Sequence, residues 1–287
     1  MQIPLWQYMV SMVVYIGLLM LIVGYMREHV KFANVFWIGS LVTFPMWIMG
    51  GVVGWFRWSK ILSVIFPTIF VGFSRLANAD SLAGKFKGKF WDSLRKEWVL
   101  WILYGVLFLN IAEATIKDFT LGNIFNAACG FLLCVTIPFP LKRNFWKLAG
   151  KNGELLVYTT IAWNFLYTTW NACFVYGESP VYFASSVCIL LAAELYPVLK
   201  GRPELYVIAR VYTLATHLII RACFPNLFPA LMDSSSWYNA GVLKYWGIIN
   251  FVLIVPYVFW HMYQLHTGKA NISFRRGKVD NTAIEAA

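Results

Sequence analysis

The sequence predicts an all-α, polytopic integral membrane protein with about nine transmembrane helices, and three observations carry that prediction. Of 287 residues, 60 % are hydrophobic and 13 % charged, whereas soluble domains hold roughly 45–50 % apolar and ~25 % charged residues. Aromatic residues make up 18 % of the chain, with 14 Trp, 15 Tyr and 23 Phe, which suits a bilayer with two interfaces to line. Apolar runs long enough to cross a ~30 Å hydrocarbon core as helices recur from one end to the other. This composition excludes a soluble enzyme, a disordered chain and a secreted disulfide scaffold.

The predicted spans are 5–26, 35–56, 61–77, 97–116, 122–140, 154–176, 180–198, 205–224 and 245–266. The first lacks a basic leader and a small-residue cleavage site, so it reads as a retained span. The second carries Pro45 and Gly50-Gly51-Val52-Val53-Gly54, a small-residue surface for close helix packing. The third is short and contains Pro67, which leaves a re-entrant segment as an alternative. Residues 1–77 then form a three-helix N-terminal membrane segment, and 78–96 a basic cytoplasmic loop of the ordinary positive-inside kind, with association with anionic lipid headgroups as the alternative. Residues 97–266 form a six-helix bundle with a central polar site, and 267–287 a polar tail. The short connections 57–60, 117–121 and 177–179 require antiparallel neighbours, and 225–243 is long enough to cap one face.

Orientation follows from the basic residues, which collect on the cytoplasmic side of membrane proteins. Of 24 Lys and Arg, Arg57, Lys60, Lys117 and Lys244 fall on one side, Arg210 and Arg221 lie inside a span, and the other 18 share the opposite side. This distribution predicts a multi-pass cell-membrane protein with its N-terminus outside and its C-terminus cytoplasmic. The net charge of +11 is thereby a topology signal, and no nucleic-acid partner is expected. Membrane lipids, a small-molecule solute and further copies of the chain remain as partners.

Spans four to nine read as three helical hairpins around a polar interior. Glu97, Glu154 and Glu204 stand at similar entrances, and Glu154–Leu155, Val157 and Ala172–Cys173–Phe174 match Glu204–Leu205, Val207 and Ala222–Cys223–Phe224 at an offset of 50. An internal duplication would produce this pattern.

Ionisable and polar residues inside a span are costly and face protein or water. Arg210, His217 and Arg221 recur at steps of seven and four, and so share one helix face. Thr160, Asn164, Tyr167 and Asn171 form a stripe on the sixth span, and Asn250, Tyr257 and His261 on the ninth. Counting depth along each helix, Glu194 falls level with Arg210 and Glu113 level with Arg221, which predicts two opposite-charge pairs. The candidate solute-binding residues are therefore Arg210, His217, Arg221, Glu194, Glu113, Asn164, Asn171 and Tyr167. Taken singly each suits a structural role; taken together they predict a polar cavity.

Other chemistry finds little footing. The four His residues form no HxxxH or HExxH, and no phosphate loop or nucleophile elbow is present. No mid-span Lys exists for a Schiff base, and the five Cys lie in apolar runs without CxxC spacing. No catalytic residue, metal or cofactor is assigned. The expected function is a transporter or channel-like carrier for a small anionic or zwitterionic solute, with His217 as a group for proton coupling. The alternatives are an integral membrane enzyme acting on a lipid or isoprenoid, and a seven-helix-type ligand-binding sensor.

Overall fold

The computed structural model describes residues 3–141 and 144–270, and these are almost wholly helical. Lys142, Arg143 and the tail from 271, with its Arg275, Arg276 and Lys278, lie outside the described residues. In chain order the helices are α1 (Leu5–Glu28), α2 (Val30–Gly39), α3 (Phe44–Met49), α4 (Trp55–Ala77), α5 (Lys89–Leu94), α6 (Trp98–Thr120) and α7 (Ile124–Val135). A two-stranded hairpin of β1 (Trp146–Ala149) and β2 (Glu154–Val157) follows. The chain continues through α8 (Ile161–Glu178), α9 (Phe183–Lys200), α10 (Tyr206–Cys223), α11 (Leu227–Met232) and α12 (Ala240–His266).

Among the described residues, seven segments are long and apolar enough to cross a membrane: Leu5–Glu28, Val30–Met49, Arg57–Ala77, Trp98–Thr120, Pro180–Lys200, Pro203–Cys223 and Ala240–His266. The chain is all-helical apart from two short strands, and these segments are consistent with a polytopic membrane protein. α10 is its hub, with 67 % of its apolar window buried against 22 % in α1 and α12. α9, α4 and α1 pack around α10, while α8 lies between α9, α7 and α12. The outer helices turn Val13, Leu21, Leu109, Val252 and Phe259 outward, as helices facing lipid must.

Local sequence sets several boundaries. The Thr160 hydroxyl accepts from the Trp163 amide at 3.0 Å and starts α8, and the Asn239 side chain caps α12 by accepting from the Gly241 and Val242 amides. Gly201 closes α9 in the left-handed conformation (φ 63°), where a side chain would be strained.

Three expectations change. The third run extends back to Trp55 as a 23-residue helix, about 34 Å long at 1.5 Å per residue, because Arg57 and Lys60 belong to its first turns rather than to a connection. The fifth run supplies only the 12-residue α7, about 18 Å, since Pro138 and Pro140 follow and end helical pairing. Residues 154–160 of the sixth run are strand and extended chain, so Glu154 sits in β2 and not in a helical first turn. Its match with Glu204, which lies in a 3-10 turn before α10, is therefore one of sequence and not of local structure. Of the small residues at 50–54, Gly50 packs closely, for a Cβ there would come 2.5 Å from the Ala222 carbonyl. Gly54 has open space around it, and its φ of 88° shows that backbone conformation requires the glycine.

The hairpin closes one end of the bundle through buried arginines. Arg75 is 0 % exposed. Its Nη1 donates to the Met26 carbonyl at 2.9 Å and to the Tyr212 hydroxyl, and its Nη2 donates to the carbonyls of Arg27 at 2.6 Å and Asn152 at 3.2 Å. Glu154 is held between Arg27 and Arg202, the latter at 3.1 Å, and Arg202 also pairs with Glu204 at 2.7 Å. Burial alone would lower the Arg202 pKa, but the Glu204 and Glu154 carboxylates outweigh it and hold the guanidinium above its ordinary range. Gly153 sits against α4, with φ +57° and a would-be Cβ 2.1 Å from the Arg75 carbonyl.

Arg75→Met removes donors from four buried oxygens and should cost about 3 kcal/mol or more, seen as a lower thermal midpoint in detergent, whereas Lys85→Met on the exposed loop should leave that midpoint unchanged. Gly153→Ala should lower it as well, because backbone must move to admit the methyl group.

Candidate functional site

α10 presents Arg210, His217 and Arg221 along one face, as their spacing requires, and that face lines a cavity of about 140 Å³. The cavity begins among Gly50, Gly51, Arg57, Ser179, Tyr182 and Pro225 at the end of the bundle opposite the hairpin, and runs inward to Asn171 and Arg210. A second cavity of about 70 Å³ continues toward the hairpin, where Trp146 and Leu155 form its floor. The two share Asn110, Arg210 and Leu214 as wall residues. Arg210 therefore stands where one chamber passes into the next. Pro67 and Ser63 line the inner chamber; Pro67 has no amide hydrogen, so the Ser63 carbonyl one turn earlier loses its helical partner there.

Arg210 is 7 % exposed, yet its hydrogen bonding is incomplete. Nη2 reaches Asn171 Oδ1 only at 3.5 Å, while Nε and Nη1 have no hydrogen-bond partner among the described residues. The guanidinium lies 5.6 Å from the centre of the Tyr167 ring, a spacing at which the ring face attracts a cation. His217, 2 % exposed, shares a hydrogen bond between Nδ1 and the Tyr15 hydroxyl at 3.1 Å, and its ring stacks on Phe228 at 4.5 Å. Its Nε2 has no hydrogen-bond partner among the described residues. Buried polar groups are normally paired, so two incompletely satisfied side chains on one cavity wall are the feature that sets this place apart.

The predicted charge pairs are not the ones that form. Glu113 pairs with Lys60 at 3.1 Å, and Lys60 also donates to Asn110 Oδ1 at 2.7 Å. Depth counting missed this pair because Lys60 had been placed outside the membrane, whereas it lies in the second turn of α4. Arg221 instead sits on the Tyr182 ring, 3.6 Å from its centre, and reaches Ser179 Oγ at 3.4 Å. Glu194 is within electrostatic range of Arg210 but forms no ion pair with it among the described residues; its Oε2 accepts from the Thr168 hydroxyl at 2.9 Å. Asn164 bridges Thr159 and the Pro203 carbonyl and lies off both cavities. Of the eight candidates, Arg210, His217, Arg221, Asn171 and Tyr167 line a cavity; Glu113, Glu194 and Asn164 do not.

Sequence reasoning overlooked Arg57, Lys60, Glu178 and Tyr182, all of which line the outer chamber. The available signal was the Arg57–Lys60 spacing, since a step of three keeps two residues on one helix face. With Arg210 and Arg221, the outer chamber has four basic side chains and one acidic one, Glu178, in its wall, a field that draws anions inward. The Asn250 stripe belongs elsewhere. Asn250 donates to Asn126 Oδ1 at 2.8 Å and accepts from Thr169 at 2.9 Å, while Asn126 and Asn123 donate to the buried Asp118 at 2.6 and 3.1 Å. That network ties α6, α7, α8 and α12 together.

Comparison with protein-family models, with curated proteins and with solved structures finds no match for this chain.

A double-mutant cycle separates the two pairings of Glu113. Lys60→Met or Glu113→Gln alone leaves a partly buried charge unmatched and should destabilise the protein more than both changes together. Combining Glu113→Gln with Arg221→Gln should give additive losses in thermal midpoint, because those residues do not meet.

Proposed function

We propose that this protein is a membrane carrier for a small anionic solute, which binds at Arg210 between the two chambers. The observation that carries the reading is the buried Arg210 guanidinium, with Nε and Nη1 unpaired at the junction of two cavities. An interior charge is costly in a membrane unless it is met, and an anion that fills those donors supplies the missing partner. Arg57 and Arg221 at the mouth raise the local concentration of anions, and His217 Nε2 offers a second polar contact farther out. Passage to the opposite side requires the hairpin end to part, which means loosening Glu154 from Arg27 and Arg202.

In the orientation that the basic loops favour, the mouth faces outward and the hairpin faces the cytoplasm. The full count of nine crossings then includes α7 with its extended continuation and α8, in addition to the seven long segments. Residues 97–266 supply most of the site, but α1 and α4 complete it through Tyr15, Arg57 and Lys60.

Two measurements test this reading. Arg210→Gln should abolish saturable anion binding and uptake into proteoliposomes while retaining the wild-type circular-dichroism spectrum; unchanged uptake would place the site elsewhere. Binding that persists without any flux would mark a receptor rather than a carrier. For the orientation, a cysteine at Ser236 should react with an impermeant maleimide on intact cells, and one at Lys87 should not; the reverse labelling would invert the topology.

A further inference from the structure

The chemistry of the outer chamber narrows the class of its ligand. We infer that the anion is a compact monocarboxylate with an apolar body, of about the size of benzoate; this rests on the binding role assigned to Arg210.

Charge comes first. Of the cations in the wall, Lys60 is already engaged by Glu113 and Asn110, and Arg221 by the Tyr182 ring and Ser179. Arg57 is exposed at the mouth, where water solvates it. Only Arg210 brings an uncommitted positive charge to the buried end. One carboxylate matches it, and its two oxygens suit the planar donor fork of a guanidinium. A phosphate dianion or a dicarboxylate would carry a second charge into a low-dielectric site where, among the described wall residues, no further free cation stands at that depth.

Size and lining supply the rest. A chamber of about 140 Å³ is close to the ~150 Å³ apolar cavity that accepts benzene in an engineered protein. Outward from Arg210 the wall is largely apolar, with Ile61, Phe174, Ile189, Leu214 and Leu218 beside the polar Asn171, Ser186 and His217. The five apolar side chains bury the body of a small aromatic or branched aliphatic acid. Each methylene equivalent removed from water strengthens binding about fourfold, so an acid with a six-carbon body should far outbind acetate.

The test is calorimetric titration of the purified full-length protein in detergent with benzoate, benzamide, acetate, phthalate and inorganic phosphate. Benzoate should bind at least ~tenfold more tightly than acetate, while benzamide, which lacks the charge, and phthalate and phosphate, which carry too much, should not bind measurably. Arg210→Gln should remove both benzoate and acetate binding. Arg210→Lys, which keeps the charge but not the fork, should weaken benzoate and serves as the second variant if the Gln protein fails to fold. Leu218→Phe, which narrows the chamber, should weaken benzoate by a larger factor than acetate. Acetate or phosphate binding as tightly as benzoate in an Arg210-dependent manner would overturn the ligand class and keep the anion site. No Arg210-dependent binding of any of the five probes would overturn both.

Discussion

An arginine inside a helical bundle must find acceptors, because neither lipid nor packed side chains will solvate its charge, and this fold is organised around how its interior arginines meet that demand. Arg75 meets it at both Nη atoms, with three main-chain carbonyls and the Tyr212 hydroxyl, and only its Nε lacks a hydrogen-bond partner among the described residues. Those bonds fasten the end of α1, the end of α4, the hairpin and α10 to one side chain. Arg210 meets it only in part, with one long contact to Asn171. The two residues are alike in type and nearly alike in burial, yet one ties four segments together and the other faces a cavity with most of its donors unfilled. What differs is whether main chain was brought within reach.

This contrast divides the molecule into two ends of different character. At the hairpin end, Glu154, Glu204, Arg27 and Arg202 form a connected ion network, and β1 and β2 fill the space beneath the inner chamber. At the other end the chain turns at Gly50, Gly51 and Gly54 and leaves a chamber whose mouth is basic. A bundle locked at one end and hollow at the other is a reasonable starting state for a carrier that opens toward one side at a time. Under the proposed carrier role, the ion network around Glu154 would be the barrier to passage.

Much of the site was legible along α10. Steps of seven and four on a 3.6-residue helix require Arg210, His217 and Arg221 to share a face, and the cost of charge in lipid requires that face to point inward; both hold. Their partners were not legible. Depth estimates drift with the assumed start of each helix, and α4 begins six residues before the run that marked it, which brings Lys60 to Glu113 in place of Arg221. The hairpin was hidden for a related reason. Glu154-Leu-Leu-Val reads as the apolar opening of a helix, and only its pairing with Trp146-Lys-Leu-Ala shows it to be a strand.

The sequence by itself determined that this chain is helical, crosses a membrane several times and carries a polar stripe on α10, because composition and periodicity act locally and need no knowledge of neighbours. The tertiary structure alone decided which charges pair, which arginine is left with free donors and where the empty space lies. Those properties belong to distances between segments far apart in the chain, such as Lys60 to Glu113 or Arg75 to Asn152, and no local pattern encodes them.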